Sequence, residues 1–357
     1  MFFGKTIGIL GGGQLAKMMS VAASKLGFTT IIFSEDIEPC SSEHVKKVIV
    51  APFTYTNKLA EFAKECDFIT IETENIPAMA LEFLETNFSE KVKTSSSFIG
   101  IAQNRLKEKE FASSLGIPIG KYIKVEDKSN IKTFFENNGE CILKTATEGY
   151  DGKGQTKIKN LENLPHLKNG AEYILEQKLD FAFEVSCVVT KQKNNLAFFP
   201  IPLNIHKDGI LRESIVPLTF NGFTTRKIHS IEKKVIEYTK KIAENIQHDG
   251  TFAVEYFVFQ NGDIFFNEIA PRPHNSGHFT NDLCNISQFE NHIRAIFGLP
   301  LIEPQLLYHG KMVNIIGNDI NDIEKLLDKP NLKLHLYNKN GIALNRKLGH
   351  YNIIDFK

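Results

Sequence analysis

The sequence predicts an α/β domain with a parallel, doubly wound sheet, followed by an α+β domain and a short C-terminal region. Residues 1 to about 100 alternate short apolar segments with segments of helical periodicity, which is typical of a parallel sheet. Beyond about residue 116, strand and turn signals come in clusters separated by helices, which favours an α+β arrangement. We set the domain boundaries at 1–104, 105–297 and 298–357. The last region is too short for a core of its own, so we expect it to pack on the other two.

A glycine-rich loop between a strand and a helix is the first motif. Residues 5–10 form a short apolar strand, Gly11 to Gly13 follow, and apolar residues then recur at helical spacing from Leu15 to Leu26. A second strand at 29–33 ends beside Glu35 and Asp36, which matches the dinucleotide-binding fingerprint. Such glycines let any phosphate approach the N–H groups at a helix N-terminus. The loop alone therefore leaves NAD, another phosphorylated ligand and a tight turn without a ligand open.

The N-terminal domain continues to alternate strands and helices. A strand at 45–50, a helix at 57–66 and a strand at 67–71 follow in order. The last strand leads into Glu72, Glu74 and Asn75, at the sheet edge where open α/β sheets bind ligands; a solvated loop is the alternative.

The passage into the middle domain begins with a run of serines. Ser95 to Ser97 predict a linker or a helix cap. One amphipathic helix is predicted to run through Arg105 and to end before Gly116 and Pro118.

Composition excludes several classes of function. Lys plus Arg and Asp plus Glu number 42 each, and we find no basic stripe, so no nucleic-acid partner is expected. A run of about 18 apolar residues is absent, which argues against a membrane span, and no signal peptide is recognisable. The five cysteines are scattered singly, as reduced thiols are in a cytoplasmic protein.

A predicted β-hairpin provides the sharpest inference from the residues themselves. Asn261-Gly262 is the preferred pair for a two-residue type I′ turn, and that turn would set Glu255 directly opposite Glu268. Like charges at such cross-strand positions repel, and a Mg²⁺ ion shared with substrate phosphates would relieve the repulsion. A solvated pair on an outer face is the alternative. A polar cluster follows the hairpin at once and favours the metal: Asn267, Arg272, His274, Asn275, Ser276 and His278.

A second glycine-rich loop follows Lys144, which lies near the end of a predicted strand. Gly149, Gly152 and Gly154 make this loop suitable as a lid over a triphosphate, with backbone N–H groups and a lysine charge meeting the phosphates. It is not a Walker A motif, and no protein-kinase motifs follow. A plain surface hairpin is the alternative.

The order of these motifs resembles the N5-carboxyaminoimidazole ribonucleotide synthetase family, ATP-grasp enzymes of microbial purine biosynthesis. The resemblance covers nearly the whole chain and is carried by "GILGGGQLAKM", "GYDGKGQ", "EQKLDFAFEVS", "NEIAPRPHNSGH" and "RKLGH". It implies an ATP-grasp fold with its small lobe at about 108–184, preceded by a Rossmann-like pre-ATP-grasp domain. Glu148 departs from the family pattern, where we expect a glycine.

The resemblance implies that ATP phosphorylates bicarbonate to carboxyphosphate, whose carboxyl group passes to the amine of 5-aminoimidazole ribonucleotide. ATP is the co-substrate, Mg²⁺ (with Mn²⁺ as an alternative) is the cofactor, and a homodimer is usual. The metal ligands would be Glu255 and Glu268. The implied ATP-binding residues are Arg105, Lys144, Gly149, Tyr150, Asp151, Gly152, Lys153, Gly154, Gln155, Glu176, Gln177, Lys178, Leu179, Glu184, His206, Asn267 and Glu268.

The family pattern assigns other residues to the second substrate and to bicarbonate. Arg272, His274 and Asn275 would bind bicarbonate and carboxyphosphate and, with Lys144, form the catalytic set; His274 is either a ligand contact or a proton shuttle. The implied ribonucleotide-binding residues are Gly13, Gln14, Leu15, Glu74, Tyr150, Arg272, Arg346 and Lys347.

Two alternative functions stay open on the sequence. One is another ATP-grasp ligase, either a carboxylate–amine ligase or a formate-dependent purine transferase. The other is a non-catalytic nucleotide-binding protein, which would bind NAD through Glu35 or Asp36.

Overall fold

The structure, a computed structural model, describes residues 4–147, 154–162, 164–168 and 170–355. Three sheets organise these residues: a parallel sheet of four strands, an antiparallel sheet of four strands and a large sheet of nine strands. The lid residues Gly149, Tyr150, Asp151, Gly152 and Lys153, and Glu148 before them, lie outside the described residues. Among the described residues, no helix is long and apolar enough to cross a membrane.

The N-terminal sheet is parallel, as predicted. Its strands lie in the order β3-β2-β1-β4. The elements are β1 (Thr6–Leu10), α1 (Gln14–Lys25), β2 (Thr29–Ser34), β3 (Lys47–Val50), α2 (Thr56–Glu65), β4 (Phe68–Ile71) and α3 (Ala78–Phe88). Ile7 and Ile9 are fully buried in β1, because helices cover both faces of the sheet. This packing brings the loop after β1 and the loop after β4 to the same edge.

The predicted helix through Arg105 is wrong in its extent, because two helices occupy the region. They are α4 (Ser96–Ala102) and α5 (Arg105–Ser114). The Asn104 side chain accepts hydrogen bonds from the N–H groups of Leu106 and Lys107, so it caps α5 and ends the helical run before it. Ser95 caps α4 by accepting from the N–H of Phe98, which confirms the predicted cap. Arg105 thus becomes the first residue of α5, at the edge of the central cleft.

The small-lobe sheet is antiparallel, in the order β5-β8-β6-β7. Its elements are β5 (Tyr122–Val125), α6 (Lys128–Asn138), β6 (Cys141–Thr145), β7 (Gln155–Ile158) and β8 (Tyr173–Gln177). Ile142 pairs with Glu176 and Lys144 pairs with Ile174 across β6 and β8. Since residues two apart share a face, Lys144 and Glu176 lie on the same side of this sheet.

The large sheet runs β14-β13-β9-β11-β12-β15-β17-β16, with β10 beside β9. Its strands and the neighbouring helices are β9 (Phe183–Gln192), β10 (Asn195–Phe198), β11 (Leu203–Lys207), β12 (Ile210–Val216), α7 (Thr225–Glu244), β13 (Gly250–Val258), β14 (Ile264–Ala270), α8 (Thr280–Leu283), α9 (Gln288–Ile296), β15 (His309–Ile316), β16 (Leu332–Leu336) and β17 (Lys347–Asp355). The main core lies beneath this sheet, against the apolar stripe of α7. Strand β15 pairs with β12, so strands of the C-terminal region continue the large sheet.

The β13–β14 hairpin places Glu255 opposite Glu268, as predicted, but the predicted two-residue turn is wrong. Phe259 pairs with Asp263, which leaves three residues in the loop, and only Gly262 among them has a positive φ, of 93°. The longer loop shifts the register by one residue. A bulge at Asn267, between the pairs Tyr256–Phe266 and Glu255–Glu268, then restores it.

Candidate active site

One large cleft gathers almost all of the predicted site residues that the structure describes. Its volume is about 1150 Å³, and residues of the N-terminal domain, the small lobe, the large sheet and the C-terminal region line it. The predicted residues in its lining are Gln14, Leu15, Glu74, Arg105, Lys144, Gln155, Glu176, Gln177, Lys178, Leu179, Glu184, His206, Glu255, Asn267, Glu268, Arg272, His274, Asn275, Arg346 and Lys347. Gly13 directly precedes Gln14, and the Gly154 carbonyl accepts a hydrogen bond from the N–H of Thr145, beside Lys144.

A buried carboxylate between two lysines marks the small-lobe side of the cleft. Glu176 Oε2 lies 2.6 Å from Lys144 Nζ, and its Oε1 lies 3.2 Å from Lys109 Nζ. Burial alone would raise the pKa of Glu176, but the charges of Lys144 and Lys109 outweigh burial and lower the pKa to about 2. Burial, ahead of the attraction of Glu176, lowers the pKa of Lys144. Glu176 is therefore ionised at neutral pH and pairs with both lysines.

Arg105 connects α5 to the hairpin carboxylates. Its Nη1 lies 3.5 Å from Glu268 Oε2, and its backbone N–H donates to the carbonyl of Ala146. Glu108, one turn along α5, accepts a hydrogen bond of 2.8 Å from the N–H of Ile269. Burial, and then the charge of Glu268, raise the pKa of Glu108 to about 8. Helix α5 thus places one cation and one carboxyl group against the end of β14.

The chemistry of the hairpin carboxylates fits a divalent cation. Glu255 is almost fully buried and pairs with Glu268, and burial together with the charge of Glu268 raises the pKa of Glu255. A cation shared by the two oxygens would remove that cost. Glu184, His206 and Glu255 also bring one ligand atom each within 4.8 Å of one another. His206 Nδ1 lies 3.2 Å from Glu184 Oε1, an ion-pair distance without hydrogen-bond geometry.

Arg272 and Glu74 form a bidentate ion pair between the large sheet and the N-terminal domain. Arg272 Nη2 donates to Glu74 Oε1 at 2.9 Å, and Nε donates to Oε2. Burial opposes the charge of Glu74, but Arg272 outweighs burial and lowers the pKa of that carboxyl. The two residues, both of which the family pattern assigns to the ribonucleotide, are therefore in direct contact.

His274 and Asn275 follow Arg272 on the loop after β14. Burial, and then the charges of Arg272 and Lys347, hold the pKa of His274 well below its usual range. Its Nε2 lies 3.5 Å from Glu255 Oε1. Asn275 is buried, and both polar atoms of its side chain lack a hydrogen-bond partner among the described residues. Such unsatisfied groups fit a small ligand with oxygen atoms.

The glycine loop holds a carboxylate at the start of α1. Glu72 Oε1 accepts a hydrogen bond of 3.0 Å from the N–H of Gly13. A Cβ on Gly11, whose φ is 98°, would lie 2.5 Å from Glu72 Cγ, so the glycine permits this close approach. Burial raises the pKa of Glu72, ahead of the opposing hydrogen bond from Gly13.

The C-terminal region reaches this same corner of the cleft. Lys17 Nζ donates to the carbonyl of Leu336 at 3.1 Å, and Asn340 Nδ2 donates to Glu38 Oε2 at 3.0 Å. Lys339, Arg346 and Lys347 line the cleft together with Gln14 and Leu15. Burial, ahead of the other charges, lowers the pKa of Lys339.

Sequence reasoning missed Lys109, Glu108 and Lys339. Lys109 lies four residues after Arg105, a helical spacing that places both on one face, so the sequence did contain a signal for it. No such signal exists for Lys339, because the loop that carries it reaches the cleft only through pairing of β16 with β17.

Comparison with known families defines the class of protein. Residues 4–103 match the model of the ribonucleotide synthetase preATP-grasp domain, and residues 110–289 match that of the ATP-grasp domain. Residues 311–356 match the phosphoribosylaminoimidazole carboxylase C-terminal domain. The chain is an ATP-grasp protein with a preATP-grasp domain, which confirms the predicted fold class.

Individual relatives narrow the class to one family. The N5-carboxyaminoimidazole ribonucleotide synthase of Staphylococcus aureus (strain N315) is 37% identical over 99% of this chain and 93% of its own. That of Bacillus subtilis (strain 168) is 37% identical over 97% of this chain and 90% of its own. The chain belongs to the N5-carboxyaminoimidazole ribonucleotide synthase family.

Solved structures agree with this assignment. An N5-carboxyaminoimidazole ribonucleotide synthetase in complex with ADP superimposes with a TM-score of 0.90 at 36% identity, over 99% of this chain and 93% of that one. The Aspergillus clavatus enzyme in complex with ADP and 5-aminoimidazole ribonucleotide has a TM-score of 0.89 at 26% identity, over 99% of this chain and 95% of that one.

Proposed function

We propose that this protein is a ligase that carboxylates 5-aminoimidazole ribonucleotide at the expense of ATP, in de novo purine biosynthesis. One observation carries the proposal: a single cleft joins a lysine–carboxylate pair, a carboxylate pair suited to a cation, and unsatisfied groups suited to a small oxyanion. The family of the chain supports the same activity. The glycine loop then holds a mononucleotide phosphate, and NAD is not required.

ATP would lie between the small lobe and the large sheet. Lys144 and Arg105 would release Glu176 and Glu268 to contact the phosphates, and residues 149–155 would cover them. Backbone and side chains from Glu176 to Leu179 would border the adenine, and Glu184 would accept the ribose hydroxyls with His206 beside it. This arrangement is supported by the position of each described residue in the cleft lining.

Glu255 and Glu268, with Asn267 beside them, would hold Mg²⁺, or Mn²⁺ in its place. A bound divalent ion supplies neutralisation of negative charge on the phosphoryl group that moves. The raised pKa of Glu255 supports this role, because this buried carboxyl group faces the charge of Glu268 and needs positive charge nearby in order to ionise fully.

Arg272, His274 and Asn275 would bind bicarbonate. An oxygen of bicarbonate attacks the terminal phosphorus of ATP, the bond to ADP breaks, and carboxyphosphate forms. The amine of the ribonucleotide then attacks the carboxyl carbon, and phosphate leaves with the electron pair of the broken C–O bond. The cleft must exclude water during this interval, since water would hydrolyse the mixed anhydride.

The ribonucleotide would lie between the N-terminal domain and the C-terminal region. Gly13, Gln14 and Leu15 would meet its phosphate from one side, and Arg346 and Lys347 from the other. Glu74 and Tyr150 would be the residues near the aminoimidazole. The homodimer and the cytoplasmic location stay predictions of the sequence.

ADP release tests the proposal directly. The full-length protein is incubated with Mg-ATP and with bicarbonate, formate or an amino acid, each with and without 5-aminoimidazole ribonucleotide. Fast ADP release should require bicarbonate together with the ribonucleotide. Release driven by formate or an amino acid would overturn the proposal, and Lys144→Met serves as the inactive control.

A further inference from the structure

A row of buried polar side chains crosses the large sheet on the face that also carries Glu184 and Glu255. Ser214 on β12 pairs with Asn204 on β11, and Ser186 on β9 pairs with Glu255 on β13. Ser186 and Ser214 are fully buried, and Asn204 is 4% exposed. Burial of polar side chains costs free energy of folding unless they form hydrogen bonds, so we expect these side chains to be hydrogen-bonded.

These side chains form one continuous chain of hydrogen bonds that ends on His274. Ser214 Oγ donates to Asn204 Oδ1 at 2.8 Å, and Asn204 Nδ2 donates to Ser186 Oγ at 3.0 Å. Ser186 Oγ donates to Ser276 Oγ at 2.6 Å. Ser276 Oγ lies 2.8 Å from His274 Nδ1.

The direction of these hydrogen bonds follows from the number of hydrogens that each side chain can donate. Each serine hydroxyl has one hydrogen to donate. Because Asn204 donates to Ser186, the hydrogen of Ser186 goes to Ser276, and the hydrogen of Ser276 is left for His274 Nδ1. Nδ1 must therefore accept.

The backbone gives an independent argument for the same direction. The N–H of Ser276 also points at His274 Nδ1, at 3.4 Å. If the amide of Asn204 were turned over, every bond of the chain would reverse and Nδ1 would carry a hydrogen. That hydrogen would then face the N–H of Ser276, donor against donor.

We infer that Asn204, Ser186 and Ser276 act as positioning residues that hold His274 in the tautomer with its hydrogen on Nε2. Nε2 is the ring nitrogen on the Glu255 side of the cleft. With its hydrogen on Nε2, His274 can donate a hydrogen bond on that side, to Glu255 or to an oxygen of a bound acid. It cannot take a proton from the attacking amine through Nε2. This inference rests on the proposed function only for the identity of that acid.

Nitrogen-15 NMR of the histidine rings tests the inference in the unliganded, full-length protein. The signals of His274 are assigned by their absence in His274→Gln. The wild type should show hydrogen on Nε2 and none on Nδ1. A hydrogen on Nδ1 in the wild type would overturn the inference.

Two variants test whether this relay, the series of hydrogen bonds from Ser214 to His274, sets the tautomer of His274. Asn204→Asp, once ionised, can only accept, so it should reverse the chain and move the hydrogen of His274 to Nδ1. Ser276→Ala removes the last donor and should lower kcat at least about tenfold, with an unchanged KM for ATP. Ser276→Thr keeps a hydroxyl and should retain most of the wild-type kcat. An unchanged tautomer in Asn204→Asp, or unchanged kcat in Ser276→Ala, would overturn the relay.

Thr239→Val is the matched control. It removes a buried hydroxyl that bonds Tyr256 Oη at 2.9 Å on the opposite face of the same sheet. Its His274 signals should match the wild type. Because the NMR measurement needs no turnover, a wild type with Nε2–H but without bicarbonate-dependent ADP release would overturn only the proposed function.

Discussion

Arg272 donates two parallel hydrogen bonds to the carboxylate of Glu74, and this pair joins the loop after β14 to the N-terminal domain. Both side chains line the cleft, so the contact is at once a structural link and part of the proposed substrate site. A bidentate pair fixes the plane of the guanidinium as well as its position. The orientation of the Arg272 guanidinium in the cleft therefore depends on a residue of another domain.

A double-mutant cycle separates the two roles of this pair. Arg272→Met and Glu74→Gln should each lower the free energy of unfolding by about 2 kcal/mol, because each leaves a half-buried charge without its partner. The double variant should recover most of this stability and none of the activity. Urea unfolding and ADP release measure the two effects. Simple addition of the two losses in the double variant would contradict the assignment of a coupled ion pair.

Glu268→Gln tests the proposed metal site. We expect ADP release to fall at least about 100-fold, since a metal ligand contributes several kcal/mol to the transition state. The melting temperature should stay equal or rise, because the repulsion with Glu255 is relieved. Glu213→Gln, which alters a carboxylate paired with Lys311 on the same sheet, is the control and should stay active. Full activity of Glu268→Gln would rule out its role as a metal ligand.

Lys347→Ala tests the contribution of the C-terminal region. A charge-assisted contact with phosphate is worth about 1.5–3 kcal/mol, so the KM for the ribonucleotide should rise at least tenfold. The KM for ATP should stay nearly unchanged. Lys329→Ala, an exposed lysine outside the cleft lining, is the control. If both KM values of Lys347→Ala match the wild type, the phosphate is held without this residue.

The pair Glu176–Lys144 predicts a pH dependence of stability. The pKa of Glu176 is lowered from 4.5 to about 2, so its carboxylate stabilises the fold above pH 4.5. This contribution is lost as the pH falls from 4.5 towards about 2. Glu176→Gln should therefore show a weaker fall in the free energy of unfolding over that range.

Urea unfolding at a series of pH values measures this difference. Glu136→Gln, which changes a surface glutamate in an i,i+4 pair with Lys132, should follow the wild-type curve. Parallel curves for the wild type and Glu176→Gln would contradict the assignment.

The sequence predicted the N-terminal sheet well because its signals are local. Apolar strands such as Thr6–Leu10 and Phe68–Ile71 are buried on both faces, and the helices between them carry their own periodicity. The break between α4 and α5 escaped prediction because the capping of α5 by Asn104 outweighs a helical pattern that continues across it.

The pairing of Glu255 with Glu268 was predicted correctly, but the two-residue turn on which the prediction rested is wrong. The loop of the hairpin is one residue longer than predicted, and the bulge at Asn267 compensates for it. No local signal marked either feature. The same limit applies to β15, whose partner β12 lies about 100 residues earlier. It also applies to Lys339, whose position depends on the pairing of β16 with β17.

The central claim is that bicarbonate is phosphorylated before its carboxyl group is transferred. The fate of a bicarbonate oxygen tests this claim most directly. The protein is supplied with Mg-ATP, 5-aminoimidazole ribonucleotide and bicarbonate labelled with oxygen-18, and the released phosphate is analysed by mass spectrometry. If bicarbonate is phosphorylated before its carboxyl group is transferred, one labelled oxygen must remain on each phosphate. We predict labelled phosphate in amounts equal to the ADP formed, and phosphate that carries oxygen from water alone would contradict the account.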